Sequence, residues 1–194
     1  MTADDPTLEI TSVEALRDWL ELNYGQVPGI WLTTYKASEG NRYVSREAVL
    51  DQLLCFGWID GRRRKLDDRR TQQWVSPRRA QHWAQTYKDR AEVLIESGEM
   101  QAPGLASIER SKAEGLWDFM ADVDALMYPV DLEDAFDPQT RATFAAFPPS
   151  AQRFTLRWIK LAKTPGTRHK RIKETVTCAA RGDFVPGVRM PSKS

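Results

Sequence analysis

Cysteine and histidine are scarce in this chain: its 194 residues hold two of each. Cys55 and Cys178 lie far apart in apolar helical contexts with no C-x-x-C spacing. They read as buried thiols in a reducing compartment, not as a disulfide frame. His82 and His169 have no second ligand at zinc spacing, so the pattern contains no metal centre. A P-loop, a G-x-G-x-x-G turn and a G-x-S-x-G elbow are also missing. That removes the standard nucleotide-binding and serine-hydrolase signatures, and no cofactor is implied. No apolar run reaches the length of a membrane span, and the start MTADDPTLEI is acidic and polar. Both features point to a cytoplasmic protein without membrane insertion. Internal repeats, sustained heptads and low-complexity runs are absent as well.

What is present is an ordinary globular composition, 41% hydrophobic and 28% charged, in a chain long enough to bury a core unaided. The net charge of +1 conceals segregation. Residues 62–79 hold eight basic and two acidic side chains, a net of +6, and residues 153–173 hold eight basic and none acidic, a net of +8. Taking that +14 from +1 leaves −13 for the rest of the chain. Segregation of this size creates local fields that the overall pI hides.

Capping and periodicity lay out the elements. Thr11-x-x-Glu14 has the capping-box pattern and precedes Val13, Leu16, Leu20 and Tyr24 at helical spacing, ended by Gly25 and Pro28-Gly29. Ile30 to Lys36 reads as a strand, Glu39-Gly40-Asn41 as a turn, and Ser45 as the N-cap of a helix to Phe56. Trp58–Leu66 and Thr71–Ser76 read as a hairpin ribbon at a sheet edge. Helical patterning follows from Gln81, with Trp83, Tyr87, Ala91, Leu94 and Ile95 on one stripe stopped by Gly98. Further helices are expected from Pro103 to near Gly115, from Asp131, from Asp137-Pro138, from Pro149 to Lys163 with Phe154, Trp158, Leu161 and Ala162 on one face, and from Thr164-Pro165 to Gly182. The fold class is therefore α+β: a small N-terminal α/β part over residues 10–118 with a short antiparallel ribbon, then an all-helical module over residues 130–182. Residues 1–8 and 185–194 read as frayed tails.

Residues 55–83 combine three tryptophans, eight Arg or Lys residues and Asp60, which sits between Ile59 and Gly61. A carboxylate in that setting is partly buried and needs a basic partner, either in a ligand site or in a salt bridge to Arg78 or Lys36. Ser76-Pro77-Arg78-Arg79 ahead of a helix start can hold an anion, with Arg78 as the clamp, or can be a simple turn with solvated arginines. Trp31, Tyr35, Lys36, Trp58, Trp74 and Trp83 could wall such a pocket or fill the core. The candidate ligand-binding set is thus Trp31, Tyr35, Lys36, Trp58, Asp60, Gly61, Lys65, Asp67, Ser76, Arg78, Arg79 and Trp83. A nucleic-acid surface would instead use Arg62, Arg63 and Arg64 with Arg153, Arg157, Lys160, Lys163, Arg168, Lys170 and Arg171, and the C-terminal run has no interleaved acidic residues.

Several of these segments resemble the YdeI/OmpD-associated family of bacteria. They are Trp31-x-x-x-Tyr35-Lys36, Ala48 to Gly61 ending in CFGWIDG, Lys65-Leu66-Asp67, SPRR, Trp83 and Gly98-x-Met100-x-x-x-Gly104. The stretch from Arg157-Trp158 through Lys163-Thr-Pro165 to Arg171-Ile172 resembles that family's C-terminal helical module. The resemblance implies a cytoplasmic protein linked to bacteriocin or antimicrobial-peptide protection, and it carries no catalytic mechanism with it. Three readings follow. The first is a non-enzymatic stress-protection protein binding an anionic small molecule at Asp60 and Arg78. The second is a nucleic-acid binder. The third is an enzyme on a phosphorylated or carboxylated substrate, with Asp60 as acid/base and Arg78 as oxyanion clamp.

Overall fold

The computed structural model describes residues 6–25 and 29–188, so Pro28 and the outer parts of both tails lie outside the described residues. The chain divides into two compact units, Met1–Asp118 and Phe119–Ser194. The first holds a four-stranded sheet with helices and the second is helical, an α+β protein.

In the first unit β1 (Thr7–Glu9) runs parallel to β2 (Ile30–Tyr35), and α1 (Val13–Asn23) makes the crossover between them. β3 (Trp58–Lys65) and β4 (Arg70–Pro77) form an antiparallel hairpin, and the sheet order is β1-β2-β4-β3. The ribbon expectation holds, and β3 is an edge of the sheet. The N-terminal tail is corrected: residues Thr7 to Glu9 are a strand, because their backbone completes the open side of β2. The capping box is corrected too. Ser12, not Thr11, caps α1, its hydroxyl accepting the Ala15 N–H at 3.2 Å. Ser45 caps α2 (Arg46–Cys55) as expected, and Gly57 leaves that helix with φ +69°.

One face of this sheet builds the core. Ile30, Leu32, Val75 and Trp58 share it with Leu16, Leu20, Leu53, Leu54, Ala91, Leu94 and Ile108 from the helices. Trp58 is fully buried without penalty because its indole N–H donates to the Tyr24 carbonyl at 2.9 Å. Along β3 the pairing shifts between Asp60↔Val75 and Arg63↔Gln73, a β-bulge that puts one extra residue on the edge strand. The bulge turns Arg64 onto the opposite face, where it donates to Gln72, although simple alternation puts it beside Trp58 and Asp60.

Residues 78–84 are irregular, and α3 starts at Gln85, four residues later than the pattern suggests. Trp83 therefore enters the core from a loop. α3 (Gln85–Glu96) buries Ala91 and Leu94 and leaves Ile95 43% exposed, off the expected stripe. α4 (Ala102–Ala113) crosses the end of α2 at Gly104, where a Cβ would come within 2.5 Å of the Cys55 carbonyl oxygen.

The second unit contains α5 (Ala121–Asp124), α6 (Val130–Glu133), α7 (Pro138–Ala145), α8 (Pro149–Lys160) and α9 (Pro165–Ala180). Asp137 and Thr164 cap α7 and α9 through their side chains. On α8 the buried face is Ala151, Thr155, Leu156 and Ile159, so the expected Phe154–Leu161 face is the outer one, with both residues 39% exposed. Met120, Val123, Leu132 and Ile172 complete that core. Gln152 ties the unit together, donating to the Ala145 and Phe147 carbonyls and accepting from Tyr128. Val185 is buried, so the C-terminal tail begins later than residue 185.

Candidate functional site

The sheet sorts the candidate residues onto different surfaces. Trp31 lies on the face away from Trp58, edge-on to Trp74 at 5.5 Å, with Arg62 and Arg64 over its ring at 5.1 and 3.7 Å. Trp58 packs against Trp19, and Trp83 against Trp117 at 4.9 Å. The six expected aromatic and cationic wall residues do not form one wall; the indoles form three separate pairs.

Other members of the set hold the hairpin together. Tyr35 donates to Glu9 at 2.5 Å, Lys36 to the Asp68 carbonyl at 2.7 Å, and Lys65 to the Asp68 carboxylate at 2.5 Å. Asp67 accepts from the backbone of Arg69 and Arg70 and from the Arg70 side chain, a self-bonded turn. These neighbours hold the Asp67 and Glu9 carboxyls below their usual range, for Asp67 chiefly through Arg70 and for Glu9 chiefly through Tyr35. Gly61 approaches β4 closely, since a Cβ there would lie 3.2 Å from the Trp74 carbonyl oxygen. Ser76 is half-buried near the end of β4, and Arg79 is exposed.

One member of the set, Asp60, anchors a polar centre whose other residues lie outside the set. The Asp60 side chain is 7% exposed and accepts three bonds: from Tyr87 Oη at 2.5 Å on Oδ1, and from Gln73 at 2.8 Å and Arg46 at 3.4 Å on Oδ2. Its basic partner is thus Arg46, neither Arg78 nor Lys36. Burial first, and the Asp60 bond second, push the Tyr87 phenol up to about 12. Tyr87 was missed in the sequence because it reads there only as one residue of an apolar helical stripe.

Arg78 is the outlier. It is 4% exposed, its Cζ stands 3.8 Å from the Trp83 ring centroid and 5.9 Å from that of Tyr87, and Nη2 donates to the His82 carbonyl at 3.0 Å. Its Nε and Nη1 are buried and have no hydrogen-bond partner, and the same is true of Trp83 Nε1. Burial pulls the guanidinium down to about 10, opposed in part by the Asp60 carboxylate, so it stays cationic at neutral pH. The backbone around it is fixed: Arg78 N–H donates to the Gly57 carbonyl, Arg110 donates to the Arg78 carbonyl, and Trp83 N–H donates to the Leu116 carbonyl. A buried cation with unmet donors is costly, and such groups concentrate where a protein meets a ligand.

The basic run of the second unit is largely engaged within that unit. Lys160 pairs with Asp122 at 2.5 Å and Arg168 forks onto Asp131 at 2.6 and 2.7 Å. Arg153 donates to the Asp124 carbonyl, and Arg171 donates to the Trp158 carbonyl while stacking on that indole. The partners of these cations lie far back in sequence, so a search for i, i+4 pairs does not find them. Arg157, Lys163 and Lys170 are exposed, as are Arg62 and Arg63 on β3. Open grooves of about 490 Å³ beside α3 and about 370 Å³ between α6 and α9 carry mixed charge. Among the described residues no three His, Cys, Asp or Glu side chains gather as a metal site.

Comparison with protein families now gives the chain its place. Residues 8–107 match a domain of unknown function, DUF8412, and residues 125–182 match the family described as Bacteriocin-protection, YdeI or OmpD-Associated. The chain belongs to the DUF8412 family, whose model covers just over half of it, and its second unit is similar to the YdeI/OmpD-associated family. The segment similar to that second family holds the Arg157-Trp158 to Arg171-Ile172 motif, whereas CFGWIDG and SPRR fall in the domain matched by DUF8412. Neither a curated protein nor a solved structure matches the chain. No helix of the described residues is long and apolar enough to cross a membrane.

Proposed function

We propose that the N-terminal unit is a receptor for a small anion, with Arg78 as the binding cation and the Asp60–Tyr87 pair as the fixed wall that positions it. The observation that carries this reading is the buried Arg78 guanidinium with two unmet nitrogens. Asp60 has both oxygens engaged and Tyr87 keeps its proton at neutral pH, which favours a binding site over acid/base chemistry. The bacteriocin-protection description of the second unit supports a protective, stress-resistance role for a cytoplasmic protein of this kind.

Thermal stabilisation across a panel of anionic metabolites tests the reading. A ligand at a hundred times its Kd adds about 2.7 kcal/mol to the stability of the unit it binds. Arg78→Met should abolish every hit, and a full panel without a hit refutes the proposal. A nucleic-acid role would show itself differently, as a mobility shift with generic DNA that collapses with added salt and is indifferent to Arg78.

A further inference from the structure

The unmet donors around Arg78 have a definite chemistry. Nε and Nη1 of Arg78 and Nε1 of Trp83 are three N–H donors on two stacked groups, and all three are buried without acceptors. Their surroundings are apolar: Trp83 belongs to the core cluster with Ala91, Leu94 and Ile108, and Trp117 packs against its ring. Among the described residues two cationic side chains are buried, Arg78 and Lys88. Lys88, 5% exposed, donates to Asp118 at 3.1 Å, and Asp60 has Arg46. Arg78 is therefore the buried cation left without a carboxylate partner, while Arg110 beside its carbonyl is exposed to solvent. A single negative charge neutralises Arg78, whereas a dianion would carry surplus charge into an apolar setting.

We infer that the receptor takes a monocarboxylate with a flat apolar body, its oxygens accepting from Arg78 and the Trp83 indole N–H. This inference rests on the anion-receptor reading and narrows it to one ligand class. A carboxylate is planar and acceptor-only, matching a set of donors that includes no acceptor. The partly exposed Trp117 indole beside Trp83 suits an aromatic or branched apolar group. The donor atoms are enclosed, so the ligand enters when the irregular 79–82 segment, which leads into Trp83, moves off them. That segment is held over the site by the Arg78–His82 bond and the Trp83–Leu116 bond.

The test uses the full chain with benzoate as probe and inorganic phosphate as comparison, read by tryptophan fluorescence and thermal shift. Benzoate should bind saturably, shift the emission and raise Tm, and phosphate at the same concentration should do neither. Arg78→Met should weaken benzoate at least 30-fold, and Trp83→Phe, which keeps a ring and removes the N–H, roughly 3- to 10-fold. Arg181→Met, at an exposed position in the second unit, serves as the control and should bind normally. Circular dichroism of each variant separates lost binding from lost folding, and Arg78→Lys replaces Arg78→Met if the latter fails to fold. A benzoate association rate that levels off with concentration supports opening of the 79–82 segment before binding; a rate that stays linear overturns that step. Phosphate binding in place of benzoate, still dependent on Arg78, overturns the monocarboxylate and keeps the anion receptor. No binding of either probe, with the anion panel also silent, overturns both.

Discussion

Arg78→Met should leave the N-terminal unit about as stable as before, an unusual result for a side chain only 4% exposed. The substitution removes a charge-assisted bond to the His82 carbonyl, worth about 1.5–3 kcal/mol. It also removes a desolvated cation–π contact with Trp83, worth about 2 kcal/mol. Against that loss of about 3.5–5 kcal/mol stand two buried donor nitrogens without acceptors, each costing about 1–3 kcal/mol, or about 2–6 together. Desolvation of the charge adds to that cost. Methionine keeps most of the aliphatic volume and has favourable contacts with indole edges. The terms nearly cancel, so the net change should lie within about 2 kcal/mol of zero. Urea unfolding followed by tryptophan fluorescence reports mainly on this unit, because six of the seven tryptophans precede residue 119. A loss above about 3 kcal/mol, the size seen on breaking a satisfied buried pair, would show that Arg78 is a structural residue and sink the reasoning.

Tyr87→Phe should cost about 1.5–3 kcal/mol by leaving Asp60 without its 2.5 Å donor, and most of that cost should vanish in the Asp60→Asn background, as a double-mutant cycle in urea will show. Gly104→Ala should be among the most damaging single-atom changes, costing at least about 3 kcal/mol in chemical denaturation, because its methyl meets the Leu54 and Cys55 carbonyl oxygens. Ser45→Ala should cost about 1 kcal/mol by freeing the Ala48 N–H at the start of α2, with Ser45→Asp recovering it in thermal melts. Glu9, held below the ordinary glutamate range chiefly by the Tyr35 hydroxyl and then by Arg70, contributes stability that is present above its unfolded pKa. That contribution is lost as pH falls through its lowered folded value. Between pH 5 and pH 3 the melting temperature of wild type should fall more steeply than that of Glu9→Gln, and parallel slopes would contradict this.

Local chemistry made much of the fold legible before the structure. A serine cap placed the start of α2, aspartate and threonine caps with following prolines placed those of α7 and α9, and β-branched and aromatic residues placed β2. Strand β1 was not legible, because three residues carry no period and become a strand only by pairing with β2. The start of α3 was misread because Trp83 falls on helical spacing with Tyr87 while its backbone is irregular. At the candidate site the sequence marked Asp60 and Arg78 as unusual, and both are buried. It offered Arg78 or Lys36 as the partner of Asp60, whereas Arg46, the bulge in β3 and the helix that brings Tyr87 to Asp60 are tertiary facts. In the second basic segment the counter-ions of Lys160 and Arg168 went unseen for the same reason, since they arrive from residues nearly forty positions earlier.

The bulge in β3 also bears on how the protein behaves in a crowded solution. A flat outermost strand offers its free amide and carbonyl row to any neighbouring chain, which is how sheets grow into aggregates. Here that row is kinked by the extra residue and flanked by the exposed cations Arg62, Arg63 and Lys65, so a second copy meets both a mismatched ladder and like charge. The cluster that reads as a recognition surface in sequence thus has a plainer task as well: it keeps one molecule from templating the next.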